Sequence, residues 1–108
     1  MLDDSGLREL LGDDEDAIRA VLEIFSVSSK KIYDDIAKAA TLPDHDALQQ
    51  SAHKFKSAAY SIGATALGNA CQALEAGAHE LDKPATDDLV KTIATQLRDI
   101  ETYLNSNQ

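Results

Sequence analysis

Apolar residues recur along this chain at intervals of three and four, the spacing of one face of an α-helix, in four long runs. Ile18, Val21, Leu22, Phe25, Ile32 and Ile36 form the first, and Leu48, Ala52, Phe55, Ala59 and Ile62 the second. Leu67, Cys71, Leu74, Ala78 and Leu81 form the third, and Leu89, Ile93, Leu97, Ile100 and Leu104 the fourth. A short lead-in from Ser5 to Leu11, closed by Gly12, precedes them. The breaks between runs have the chemistry of helix ends. Asp13, Asp14, Glu15 and Asp16 offer carboxylates to the free amides and positive dipole end of a starting helix. Thr41-Leu42-Pro43-Asp44 combines a proline that cannot continue one helix with an aspartate that can start the next. Gly63 can take the left-handed conformation that closes the second helix and turns it tightly into the third. Lys83-Pro84-Ala85-Thr86 forms the last break, with Thr86 as the predicted N-cap, and residues 105–108, beyond the stripe, are expected to fray.

Short connections between helices of similar length predict an all-α fold, an antiparallel up-down-up-down four-helix bundle with a short N-terminal helix capping one end. With 108 residues the chain is of single-domain size, and residues 1–108 read as one domain without repeat, linker or low-complexity tract. The composition, 44% apolar and 27% charged with only five Gly and two Pro, suits long helices. A formal net charge of −9 repels phosphate backbones and anionic lipids, which argues against nucleic-acid and membrane-surface roles. The lone Cys71 has no disulfide partner within the chain. The opening MLDDSG offers neither a basic n-region nor an apolar h-region, and no run of 18 apolar residues occurs, so a soluble protein of the reducing cytoplasm is expected.

Chemistry concentrates on the second helix. His53, Lys56, Ser57 and Tyr60 stand at i, i+3, i+4 and i+7, one contiguous row beside the core stripe. A histidine on such a shoulder can turn one ring nitrogen to a partner within the bundle and the other to solvent, which suits a neutral imidazole nucleophile. Lys56, one turn on, could reach the oxygens of an anionic group on His53, and the small Ser57 and Ala58 leave room for that group and for another protein. A phosphoryl group meets those requirements. In an antiparallel hairpin turning at Gly63, Glu75 falls opposite His53, where a carboxylate could accept from the ring N–H and fix the tautomer.

The run His53-Lys54-Phe55-Lys56-Ser57, followed by Gly63-Ala64, Leu67, Cys71 and Leu74-Glu75, resembles the signature of the histidine-containing phosphotransfer (HPt) domain family of bacterial two-component phosphorelays. Glycine, leucine, cysteine and glutamate fall 10, 14, 18 and 22 residues after the histidine. The resemblance implies that His53 accepts a phosphoryl group on its outer ring nitrogen from a receiver domain and passes it to another, that Lys56 helps hold the phosphoryl oxygens, and that Glu75 orients the imidazole. Phe55 stands where leucine is commoner in the family, and Ser57 where glycine is commonest; neither change removes a reacting group. Lys54 is assigned only to steering toward an acidic receiver surface, and Ser57 and Tyr60 to partner contact.

The expected partners are response-regulator receiver domains, with a hybrid sensor histidine kinase as a further candidate, and the chain is expected to be a monomer. It needs no bound cofactor or metal of its own, the Mg2+ of the transfer step coming from the receiver. With its five glycines scattered and no phosphate-binding loop, the isolated chain is not expected to phosphorylate itself from ATP. The rival reading is a non-catalytic adaptor that docks receivers with the same fold. Other reactive residues have plainer explanations: His45 and His79 lie off the row as structural or solvated residues, and Cys71 sits in the apolar stripe as a small hydrophobe. The acidic run at residues 13–16 lacks the pattern of a calcium loop.

Overall fold

The computed structural model describes residues 5–106, and all secondary structure among them is helical: α1 (Ser5–Leu11), α2 (Glu15–Thr41), α3 (His45–Ser61), α4 (Thr65–Gly77) and α5 (Lys83–Ser106). The four longer helices pack in a ring, α2 on α3, α3 on α4, α4 on α5 and α5 on α2, and the short turns between successive members make neighbours antiparallel. The 41 × 22 × 20 Å envelope has the length of the 27-residue α2 and the width of two helices. No described helix is long and apolar enough to cross a membrane.

Three of the helix starts are fixed by aspartates. Asp14 Oδ1 accepts from the amide of Ala17 and Asp44 Oδ1 from that of Ala47, each at 3.1 Å, and Asp82 Oδ1 accepts from Ala85 at 2.9 Å. Each such cap stabilises its helix by about 1 kcal/mol. The third corrects an expectation: Asp82, not Thr86, caps the last helix. Lys83 and Pro84 then occupy the first turn, where the missing proline N–H leaves no helical bond unmade, and Thr86 is buried. The third helix is also shorter than its stripe suggested. It ends at Gly77, whose carbonyl accepts from the amides of Glu80 and Leu81 at 2.9 and 2.8 Å in one closing turn, and the Leu81 side chain lies over that glycine in the space a side chain there would need. At the other end, α5 continues helically through Ser106, beyond the expected fraying point, and residues 107–108 lie outside those described.

The stripes meet in one core that includes Ile18, Leu22, Ile36, Leu48, Ala52, Phe55, Leu67, Leu74, Ile93 and Ile100. Phe55 is fully buried and its ring packs tilted against Phe25, 6.0 Å between centroids. The aromatic is therefore a core-filling choice, and truncating it would cost about 3–5 kcal/mol. Buried Ser29, the polar position between Phe25 and Ile32 on the first stripe, satisfies its hydroxyl locally by donating to the Ser26 carbonyl at 3.3 Å.

α1 caps the end of the bundle where α3 turns into α4. Gly63 adopts φ 75°, and its backbone touches that of Gly6 so closely that a Cβ on either residue would overlap the other chain segment. Leu7 enters the core beside this crossing. Arg8 ties α1 forward, its guanidinium 2.8 Å from Glu15 Oε1, while Tyr103 donates to Glu15 Oε2 at 3.0 Å from α5. These two hydrogen bonds, Arg8 first, hold the Glu15 carboxyl below its ordinary value.

Candidate functional site

Ala52 and Phe55 are both buried, which anchors the core face of α3 and rolls the next positions round to the α3–α4 shoulder. His53, Ser57 and Tyr60 are exposed there and Lys56 is half-buried. On α4, Cys71 and Leu74 are fully buried, so Glu75, one position on, reaches the same shoulder from the opposite side.

The two helices bring together His53, Lys56 and Glu75. His53 Nδ1 lies 3.2 Å from Glu75 Oε1 and 3.1 Å from Oε2, and Lys56 Nζ lies 2.7 Å from Oε1. An ionised carboxylate can only accept, so Nδ1 carries the proton and Nε2 holds the lone pair of the neutral ring. The Lys56 hydrogen bond is the main reason the Glu75 carboxyl sits below its ordinary value; partial burial opposes it, and the His53 hydrogen bond adds to it. Lys56 and Glu75 side chains are each only 19% exposed, whereas that of His53 is 61% exposed. The result is a shielded ion pair beneath a ring whose unprotonated nitrogen faces outward on an open surface.

Lys56 therefore rests on Glu75, a pairing that row spacing alone does not reveal, since the row places it only within reach of a group on His53. Ser57, one turn past His53, and Lys54, adjacent to it, are both exposed. Tyr60 closes the row, its hydroxyl donating to Asn69 Oδ1 of α4 at 2.7 Å. Neither Asn69 nor its neighbour Gly68, on which the Tyr60 ring lies, stands out in sequence. Both become visible only once the facing register of α3 and α4 is known.

The remaining reactive residues lie elsewhere. His45 Nδ1 donates to the Ala78 carbonyl at 2.8 Å, and His79 Nε2 sits 3.1 Å from Asp46 Oδ1, with the two imidazole centroids 5.7 Å apart. Sequence spacing gave no sign of this pairing, because it depends on where α4 stops. A cavity of about 110 Å³ beside His45, Leu48, Leu81 and Thr86 belongs to this far end and borders no member of the His53 row. Burial pushes the Cys71 thiol up to about 12, far from a thiolate nucleophile at neutral pH.

The class of protein that fold and site define is a helical bundle that presents an exposed histidine from one helix, paired through its inner nitrogen with a carboxylate of the next. Residues 20–104 match the Hpt domain family, and the chain belongs to it. The crystal structure of histidine-containing phosphotransfer protein B (HptB) from Pseudomonas aeruginosa PAO1 has the same fold, with a TM-score of 0.80 and 24% sequence identity over 98% of this chain and 92% of that one. No curated protein sequence matches the chain at a significant level.

Proposed function

We propose that this chain is a phosphorelay intermediate that carries a phosphoryl group on His53 Nε2 between the aspartates of receiver domains. The observation that supports it most is the His53–Glu75–Lys56 arrangement. In the transfer step the Nε2 lone pair attacks phosphorus, the N–P bond forms, and the P–O bond to the receiver's aspartate breaks, returning a carboxylate. No proton has to leave the imidazole. The ring instead gains positive charge, and that charge develops 3.1 Å from the Glu75 carboxylate. Glu75 thus acts on a ring it already orients, and Lys56 helps hold its carboxyl below the ordinary value.

Lys56 has a second role in this reading. Its ammonium lies one turn from His53 on a flexible stem, where it can turn from Glu75 toward the phosphoryl oxygens as they approach, adding to the Mg2+ and lysine expected from the receiver. Lys54 steers the encounter with an acidic receiver face, and Ser57 and Tyr60 form part of the docking surface. The proposal places the chain in the cytoplasm as a monomer, without a bound cofactor and without autokinase activity; incorporation from ATP alone would overturn the last point.

The test is transfer from a phosphorylated receiver domain to the wild-type chain and to His53→Gln, followed by mass or radiolabel with an acid-stability check. Acid-labile label on the wild type that disappears in His53→Gln is expected. Receivers that bind but transfer nothing would instead favour the adaptor.

A further inference from the structure

Tyr60, the last member of the His53 row, is fixed at both ends of its ring. Its hydroxyl donates to Asn69 Oδ1 at 2.7 Å. One part of the ring lies on the backbone of α4 at Gly68, so closely that a Cβ on residue 68 would overlap Cδ1, Cε1 and Cζ. The residue nevertheless keeps 42% of its surface exposed.

Gly68 is buried in the interior of α4, where glycine destabilises a helix relative to alanine. The chain thus carries the poorer helix former at a position where the space it leaves is filled by Tyr60. An exposed tyrosine without such supports samples several rotamers and loses that freedom when a partner covers it. Tyr60 has lost it already. A rigid aromatic with apolar area still exposed is the kind of side chain that dominates binding energy at protein interfaces.

Position decides between chemistry and docking. Seven residues of helix separate Tyr60 from His53, about 10 Å along the axis, too far to touch a phosphoryl group on Nε2. That distance still falls inside the footprint of a partner centred on His53, since an ordinary interface covers about 800 Å² on each side. We infer that Tyr60 is a pre-ordered docking anchor for the receiver domain that exchanges phosphoryl groups with His53, and that Gly68 and Asn69 are the positioning residues that hold it. The inference rests on the relay reading of His53. Because the phenol proton is committed to Asn69, the receiver pocket that takes the ring is apolar and offers at most a donor to the remaining phenol lone pair.

The test is a double-mutant cycle on the full chain with purified phosphorylated receiver domains, reading Kd by calorimetry together with the KM and saturating rate of phosphoryl transfer. Tyr60→Ala is expected to raise Kd and KM about tenfold and to leave the saturating rate within about twofold. Tyr60→Phe, which keeps the ring and its Gly68 contact, should lose only about two- to threefold in Kd. Gly68→Ala should raise Kd several-fold in the wild-type background. In the Tyr60→Ala background it should leave Kd unchanged and raise Tm, as expected for a helix freed of an interior glycine. The inference is overturned if Tyr60→Ala leaves Kd and KM within twofold, if its effect falls on the saturating rate, or if Gly68→Ala weakens binding equally with and without Tyr60. A wild type that binds the receiver but accepts no phosphoryl group would sink the relay reading while the Kd cycle still decides the anchor; one that binds no receiver would overturn both.

Discussion

His45 and His53 stand on the same helix, and each donates from Nδ1 to an acceptor on the α4 side of the hairpin. In His45 the acceptor is the backbone carbonyl of Ala78, and the ring's neighbour is another imidazole, that of His79. In His53 it is an ionised side chain held by a lysine. Both bonds fix the same tautomer and leave Nε2 as the unprotonated nitrogen. Tautomer is therefore not what sets the two apart. The difference is what each ring faces if Nε2 forms a bond and positive charge spreads to Nδ1: a full negative charge beside His53, only a carbonyl dipole and a second ring beside His45. On the relay reading proposed above, the carboxylate suits His53 to bear the positive charge of a phosphorylated ring, whereas the carbonyl beside His45 suits that ring to a structural stitch.

The largest effect expected from this contrast is at the reacting atoms. His53→Gln should lower phosphoryl acceptance from a charged receiver by at least about 10³-fold, while His45→Gln changes the rate by less than about twofold in the same assay. Label that survives in His53→Gln and disappears in His45→Gln would invert the assignment. Glu75→Gln comes next, and it tests the comparison most directly because it gives His53 a neutral carbonyl acceptor, the His45 arrangement, at nearly unchanged shape. The transfer rate should fall about tenfold or more with receiver Kd unchanged; an unaltered rate would mean that geometry alone suffices.

A smaller effect is expected at the lysine. Because the Glu75 carboxyl is depressed in the folded chain, the stability it contributes is present above the ordinary carboxyl value of 4.5 and is lost as pH falls through the lower folded value. Lys56→Met removes the first cause of that depression, so the Glu75 midpoint should move upward and its protonation begin at higher pH. Carbon-13 NMR titration of the Glu75 carboxyl in both proteins measures this. A midpoint that does not move would show that Lys56 is not what depresses the carboxyl.

Local pattern made much of this legible, and its limits have physical causes. The four stripes, the Asp14 and Asp44 caps and the closure at Gly63 depend on residues within a turn or two of each other, so periodicity and capping chemistry suffice. The His53–Glu75 contact is longer in range, yet it too was accessible, because a tight antiparallel turn at Gly63 fixes which residues face each other. What escaped depends on space rather than sequence distance. Leu81 continues the helical period, but α4 ends at Gly77, the Leu81 side chain lies against that glycine, and Asp82 stands in place of Thr86 as the cap. The Gly6–Gly63 crossing and the support of Tyr60 by Gly68 and Asn69 are contacts between helix faces whose rotation no single stripe determines. The Lys56–Glu75 pair was hidden for another reason: a row assigns Lys56 to a face, and two anionic groups, one on His53 and one on α4, compete for it there.

The smallest effect concerns the other side of the comparison. If His45 is a stitch, its value lies in satisfying the Ala78 carbonyl just past the early end of α4, where no further helical turn supplies a donor. His45→Ala removes that donor and should destabilise the chain by about 1 kcal/mol. Alanine recovers part of this as the better helix former near the start of α3, leaving a net loss of about 0.5–1 kcal/mol and a Tm lower by about 3–6 °C. His79→Ala keeps the Nδ1 bond of His45 and removes its ring neighbour and an exposed contact with Asp46, so it should shift Tm by less than about 2 °C. Thermal unfolding of the two variants separates the cases. Equal losses would assign the stabilisation to the contact between the rings, and a loss of phosphoryl acceptance in His45→Ala at a temperature where it remains folded would show that the two histidines are not independent.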